Sequence, residues 1–177
     1  VLREGSGLAD AAFCAHAHRA VVAGEGRALA EVAELALAFQ PSKERRLETT
    51  AQGNAFMAAT EAAWPAEGLD FVRECWTGAV SYPVAVGAAT AAHGIDEATA
   101  LHAFLHAAAA NLISAAVRLV PLGQTDGQRA LAALEPVVAK TAAAARELAL
   151  DDIGGHALRS DIASMRHETQ YTRLFRS

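Results

Sequence analysis

Leu29, Val32, Leu35, Ala36 and Phe39 recur at three- and four-residue intervals up to Pro41, the spacing that lines one face of a helix. The same period marks several other stretches. An Ala-rich segment from Leu8 to about Ala23 predicts a first helix, with Asp10 near its start, where a carboxylate suits the positive end of the helix dipole. Gly24 and Gly26 punctuate it. Ser42 is placed to cap a helix from Lys43 to about Ala63, which Trp64-Pro65 ends. Asp70 to Trp76 reads as a short helix, and Pro83 to His93 as a buried apolar one stopped by Gly94.

Asp96 opens the strongest helix, in which Leu101, Leu105, Ala108, Leu112, Ala115 and Leu119 form one stripe until Pro121. Pro121 to Gln124 is a turn. Thr125-x-x-Gln128 is a capping-box pattern for a helix to about Leu150, with a kink or break expected at Pro136. Gly154-Gly155 precedes a last helix, one face of which carries Leu158, Ile162, Met165 and Thr169. No fixed-period repeat or low-complexity linker interrupts this all-α reading.

Composition sharpens the picture. Alanine fills about a quarter of the 177 residues and aromatics only 6%. Alanine loses no side-chain entropy in a helix, so a single helical domain with a small-residue core is expected. A net charge of −5 argues against nucleic acid, whose binding is driven by Lys and Arg displacing counterions. Arg far outnumbers Lys, which suits bidentate partner contacts but also fits a GC-rich coding sequence that inflates Ala, Gly and Arg together. Cys14 and Cys75 are far apart with no CxxC, so neither a disulfide framework nor a structural zinc site is indicated, and a reducing cytoplasm is the default. Neither a signal peptide nor a membrane span is expected: Leu101 to Val120 is interrupted by His102, His106, Asn111 and Arg118.

Candidate chemistry is sparse. His102 and His106 stand at i and i+4, the spacing at which a helix offers two imidazoles to one metal ion, but a third ligand must come from elsewhere. Asp10, Cys14 and His18 share another helical column suited to a borderline divalent ion. Both sets also read as ordinary polar positions on a helix surface. No Glu has a His three residues later, which removes a ferritin-like di-metal bundle, and no P-loop is present. A cysteine hydrolase on Cys14 would have only His18 as local base, because His16, two residues on, points away. An apolar bundle that holds a small-molecule ligand, as a helical regulator, is the alternative reading to a protein without a ligand.

The tail differs from most chain ends, which are small and polar. Tyr171, Leu174 and Phe175 lie among Arg166, Arg173 and Arg176, residue types enriched at interface hot spots. Docking back on its own domain and binding a partner are both open readings of residues 158–177. The Leu122 to Gly127 turn is a further candidate surface.

Several stretches resemble the UreF urease accessory proteins in order and spacing, over nearly the whole chain. They are Tyr82 to Ile95 (YPVAVGAATAAHGI), Asn111 to Gln128 (NLISAAVRLVPLGQTDGQ) and Asp161 to Ser177 (DIASMRHETQYTRLFRS), with Glu44 to Phe56 (ERRLETTAQGNAF) and Asp10 to Ala20 less specific. The resemblance implies a compact bundle of roughly seven to nine helices that is not an enzyme. It implies a cytoplasmic chaperone-like adaptor, working as a homodimer that bridges the UreD (UreH) scaffold and the UreG GTPase on apo-urease. Nickel would pass through that assembly and GTP would be held by UreG, with no cofactor bound stably here. By motif it points to Arg166, His167, Tyr171, Arg173, Leu174 and Phe175 as partner-binding residues, and the neighbouring Arg176 is counted with them. Arg173 is expected to clamp a carbonyl or carboxylate, and an arginine finger acting on the GTPase is chemically available to Arg173 or Arg176. Relatives of this kind carry a further N-terminal helical segment, which this sequence, starting at Val1, does not include.

Overall fold

Two N-cap side chains set where two of the longest helices begin. The Ser42 hydroxyl accepts the Arg45 amide at 3.1 Å and the Asp96 carboxylate accepts the Thr99 amide at 3.0 Å, each satisfying an orphan donor of a first turn. The computed structural model describes residues 1–120, 122–155 and 157–169. Along them run α1 (Ser6–Ala23), α2 (Gly26–Ala38), α3 (Lys43–Ala63), α4 (Glu67–Cys75), α5 (Tyr82–Ala92), α6 (Glu97–Leu119), α7 (Gln124–Glu147), a short 3-10 turn (Leu150–Asp152) and α8 (Leu158–His167). The fold is all-α, with no strand among the described residues.

Helix α1 is the axis of the packing. Ala9, Phe13, Ala17 and Ala20 join Leu29, Val32, Leu69, Val72 and Val84 in one core cluster, while Ala11, Ala12, Cys14 and Ala15 join Leu101, Leu105 and Val138 in a second. It therefore buries nearly its whole circumference, against α2, α5, α6 and α7. Small side chains are what let so many helices approach one. At the contact with α5 even alanine would be too large, because a Cβ on Gly87 would lie 2.2 Å from the Cys14 carbonyl oxygen. Full burial of each large side chain such as Phe13, Leu29, Leu101 or Leu105 contributes roughly 1.5 to 3 kcal/mol. Gly94, at φ +68, ends α5 as its sequence position predicts: the Ile95 amide returns to the Thr90 carbonyl at 2.9 Å.

Four expectations change. Asp10 lies in the second turn of α1, not its first, and faces Arg45 at 3.8 Å instead of the helix dipole. Helix α7 begins at Gln124, so the Thr125 box does not form. Gly123 is the N-cap, and its amide donates to Asp126 Oδ2 at 3.4 Å. The helix then passes through Pro136 without a break, since a proline forfeits a single donor while Val138, Thr141, Ala142 and Ala145 are buried just beyond it. The stripe on α6 also drifts. Leu101 and Leu105 are buried, but Leu112 and Leu119 are exposed, and the packed side continues through Ala109, Ile113 and Val117, the last two against Gly127 of α7. By length and composition α6 alone among the described helices could cross a membrane; its first half is instead core, holding Leu101, Phe104 and Leu105.

Candidate functional site: a C-terminal helix with its apolar side outward

Helix α8 has Asp161 in its first turn and Arg166 and His167 in its last, a charge order that complements its dipole. It rests on α3 through its polar side. Ser164 and Ser42 share a hydroxyl hydrogen bond of 2.7 Å, the Lys43 amide donates to Glu168 Oε1 at 2.6 Å, and His167 Nδ1 meets Glu44 Oε2 at 2.6 Å. All three contacts fall on the first turn of α3, where backbone donors lack helical partners and a carboxylate is favoured. Leu158, Ile162 and Met165 do share a face, as the sequence suggests, but it points outward, with exposures of 68, 38 and 49%. A shallow open groove there is lined by Arg159, Ile162, Ala163, Arg166 and His167.

Of the tail residues singled out from sequence, Arg166 is exposed beside this groove, and His167 is half-buried in the contact with α3. Tyr171, Arg173, Leu174, Phe175 and Arg176 lie outside the described residues. The second half of α6 and the turn after it add a second apolar surface, with Leu112, Leu119, Val120 and Leu122 all exposed.

The column of Asp10, Cys14 and His18 does not converge on a ligand. Cys14 is fully buried, and burial, with Glu97 and Asp10 adding to it, pushes its thiol far above the ordinary range, so no thiolate is available as nucleophile or ligand. His18 Nε2 is occupied by the Ile95 carbonyl at 2.7 Å, and His16 Nε2 by that of Leu148 at 2.9 Å. Asp10 is held toward Arg45.

His102 and His106 do have a third residue, one that the sequence left unnamed. Glu135 on α7 takes His102 Nε2 on one carboxylate oxygen and His106 Nδ1 on the other, the latter at 3.2 Å. Folding α7 back along α6 about the turn at 122–123 brings the segment around Glu135 opposite His106, so the pairing was readable only once that turn was placed.

A family model described as UreF matches residues 1–135. The chain is 58% identical over 177 residues to the urease accessory protein UreF of Rhodopseudomonas palustris (strain BisB5), an alignment spanning all of this chain and 73% of that protein. The chain belongs to the UreF family. Other UreF proteins agree: that of Bradyrhizobium sp. (strain BTAi1 / ATCC BAA-1182) is 60% identical over 178 residues, and that of Xanthobacter autotrophicus (strain ATCC BAA-1158 / Py2) 54% over 177, each alignment covering all of this chain and 73% of the relative. The matched UreF region contains α1 to α6 and the first half of α7, hence His102, His106 and Glu135. Helix α8 lies beyond it but within the full-length alignments to the UreF relatives.

Proposed function

We propose that this UreF-family chain serves urease maturation as a non-catalytic adaptor in the cytoplasm, working as a homodimer that bridges the UreD (UreH) scaffold and the UreG GTPase on apo-urease. Nickel is the cargo of that assembly and GTP is held by UreG. The observation that carries this reading is α8, which spends its polar side on α3 and turns Leu158, Ile162 and Met165 outward. A helix placed this way offers an apolar strip rimmed by Arg159 and Arg166, the pairing of anchors and cations common in protein interfaces. The exposed Leu112, Leu119, Val120 and Leu122 provide a separate surface suited to a second copy. A buried, protonated Cys14 is in keeping with a protein that has no active site of its own.

Size-exclusion chromatography with light scattering on the chain mixed with UreD and UreG tests the proposal. Wild type is expected to form a ternary complex, and Ile162→Asp and Arg173→Ala to weaken it with helicity unchanged by circular dichroism. A wild-type chain that stays apart from both proteins, or variants that assemble as well as wild type, would overturn it.

A further inference from the structure

The α6–α7 hairpin carries a cluster that the adaptor reading does not use. His102 and His106 are one turn apart on α6, and both direct a ring nitrogen at Glu135 of α7. The three side chains are 41, 45 and 44% exposed, so solvent and ions reach them. Their backbones are nevertheless held. Leu101 and Leu105, each next to one of the histidines in sequence, are fully buried, as is Val138 one turn beyond Glu135. If the cluster served only to pin α7 to α6, an arginine facing Glu135 would make a stronger, permanently charged and bidentate contact. Two imidazoles converging on one carboxylate are instead the donor set that borderline first-row divalent ions select.

We propose that His102, His106 and Glu135 form a surface binding site for one first-row divalent transition-metal ion. As they stand, no three or more His, Cys, Asp or Glu side chains among the described residues, these three included, are arranged so that they could hold a metal ion, and the site forms only if they rearrange. Here Glu135 closes on the two rings as a hydrogen-bond acceptor. An entering cation takes over that role of holding the three groups together: each neutral ring moves its proton to its other nitrogen through solvent, and the freed lone pair and a carboxylate oxygen bind the ion. Three protein ligands leave the remaining positions to water, as an exchangeable ion requires. The site does not depend on the adaptor role, since it lies on α6 and α7, away from α8.

Titration of the chain with Co2+, followed by its d–d absorption, tests the assignment. One ion per chain is expected, with the bands of nitrogen and oxygen ligation and no sulfur charge-transfer band. His106→Ala and Glu135→Gln should each weaken binding about tenfold or more, and Zn2+ should raise the melting temperature of wild type but not of these variants. Because all three side chains are exposed, the variants should keep the wild-type circular dichroism. If they do not, His102→Asn and His106→Asn, which keep polarity and size, take their place. Absence of saturable binding in wild type, unchanged affinity in the variants, or a sulfur band arising from Cys75 would each overturn the site.

Discussion

Arg19 grips Glu97 with both arms of its guanidinium, Nε to Oε2 at 2.6 Å and Nη2 to Oε1 at 2.8 Å. Arg146 Nε adds a third bond at 2.9 Å, and Arg19 Nη2 also donates to the Arg146 carbonyl at 2.7 Å. One carboxylate, only 14% exposed, thus ties together α1, α6 and α7 at the start of α6. Burial works against its charge, but the two arginines outweigh that and hold its pKa below the usual range. The stabilisation is therefore present above the ordinary carboxylate pKa and fades as pH falls through the lowered one. Glu97→Gln should cost about 1 to 2 kcal/mol at neutral pH, a value discounted because both arginines are partly exposed. Urea denaturation measures it, and an unchanged midpoint would show that the triad stabilises nothing.

Asp10 runs the other way. Burial raises its pKa from 3.8 to about 6; Arg45 at 3.8 Å opposes the shift and Glu48 adds to it. The folded chain therefore holds this proton more tightly than the unfolded chain does. Its contribution to stability is fully present below pH 4 and is lost as pH rises toward 6 and beyond, by up to about 3 kcal/mol. Asp10→Asn keeps a neutral side chain of the same shape and should remove that slope. The free-energy difference between variant and wild type, followed by urea denaturation from acid to neutral pH, should move in the variant's favour as pH rises. A difference that stays constant with pH would mean that Asp10 titrates normally.

Local chemistry explains which features could be read from the sequence. Ser42, Asp96 and Gly94 act on their own first or last turns, so the ends they set need no knowledge of neighbours. Which face packs is another matter. On α1, alanine lies on every side and period alone cannot choose. On α6, Leu112 and Leu119 continue the apolar stripe, yet α7 approaches along Ile113 and Val117, where Gly127 leaves room. Glu135 was invisible as a partner for His102 and His106 because it belongs to another helix. For α8, the choice between its two faces is made by the Lys43 amide donor and by the Ser42 and Glu44 side chains at the start of α3, which carry no signature in the sequence of α8 itself.

Those contacts set the last expectation. Glu168 Oε1 accepts the Lys43 amide at 2.6 Å, a charged acceptor at a helix N-terminus, and Ser164 reaches the same turn through Ser42. Leu158, Ile162 and Met165 stay 68, 38 and 49% exposed, so they add little burial to this contact and α8 leans on polar bonds worth about 1 kcal/mol each. Such a helix should open far more often than the core. Glu168→Ala combined with Ser164→Ala is expected to raise amide exchange across residues 158–167 several-fold, leave α1 and α5 fully protected, and alter the melting temperature little. If exchange in α8 does not change, the helix is held by something other than the α3 N-terminus. If protection falls in α1 as well, then α8 is part of the cooperative core and its outward apolar face is not a separately movable surface.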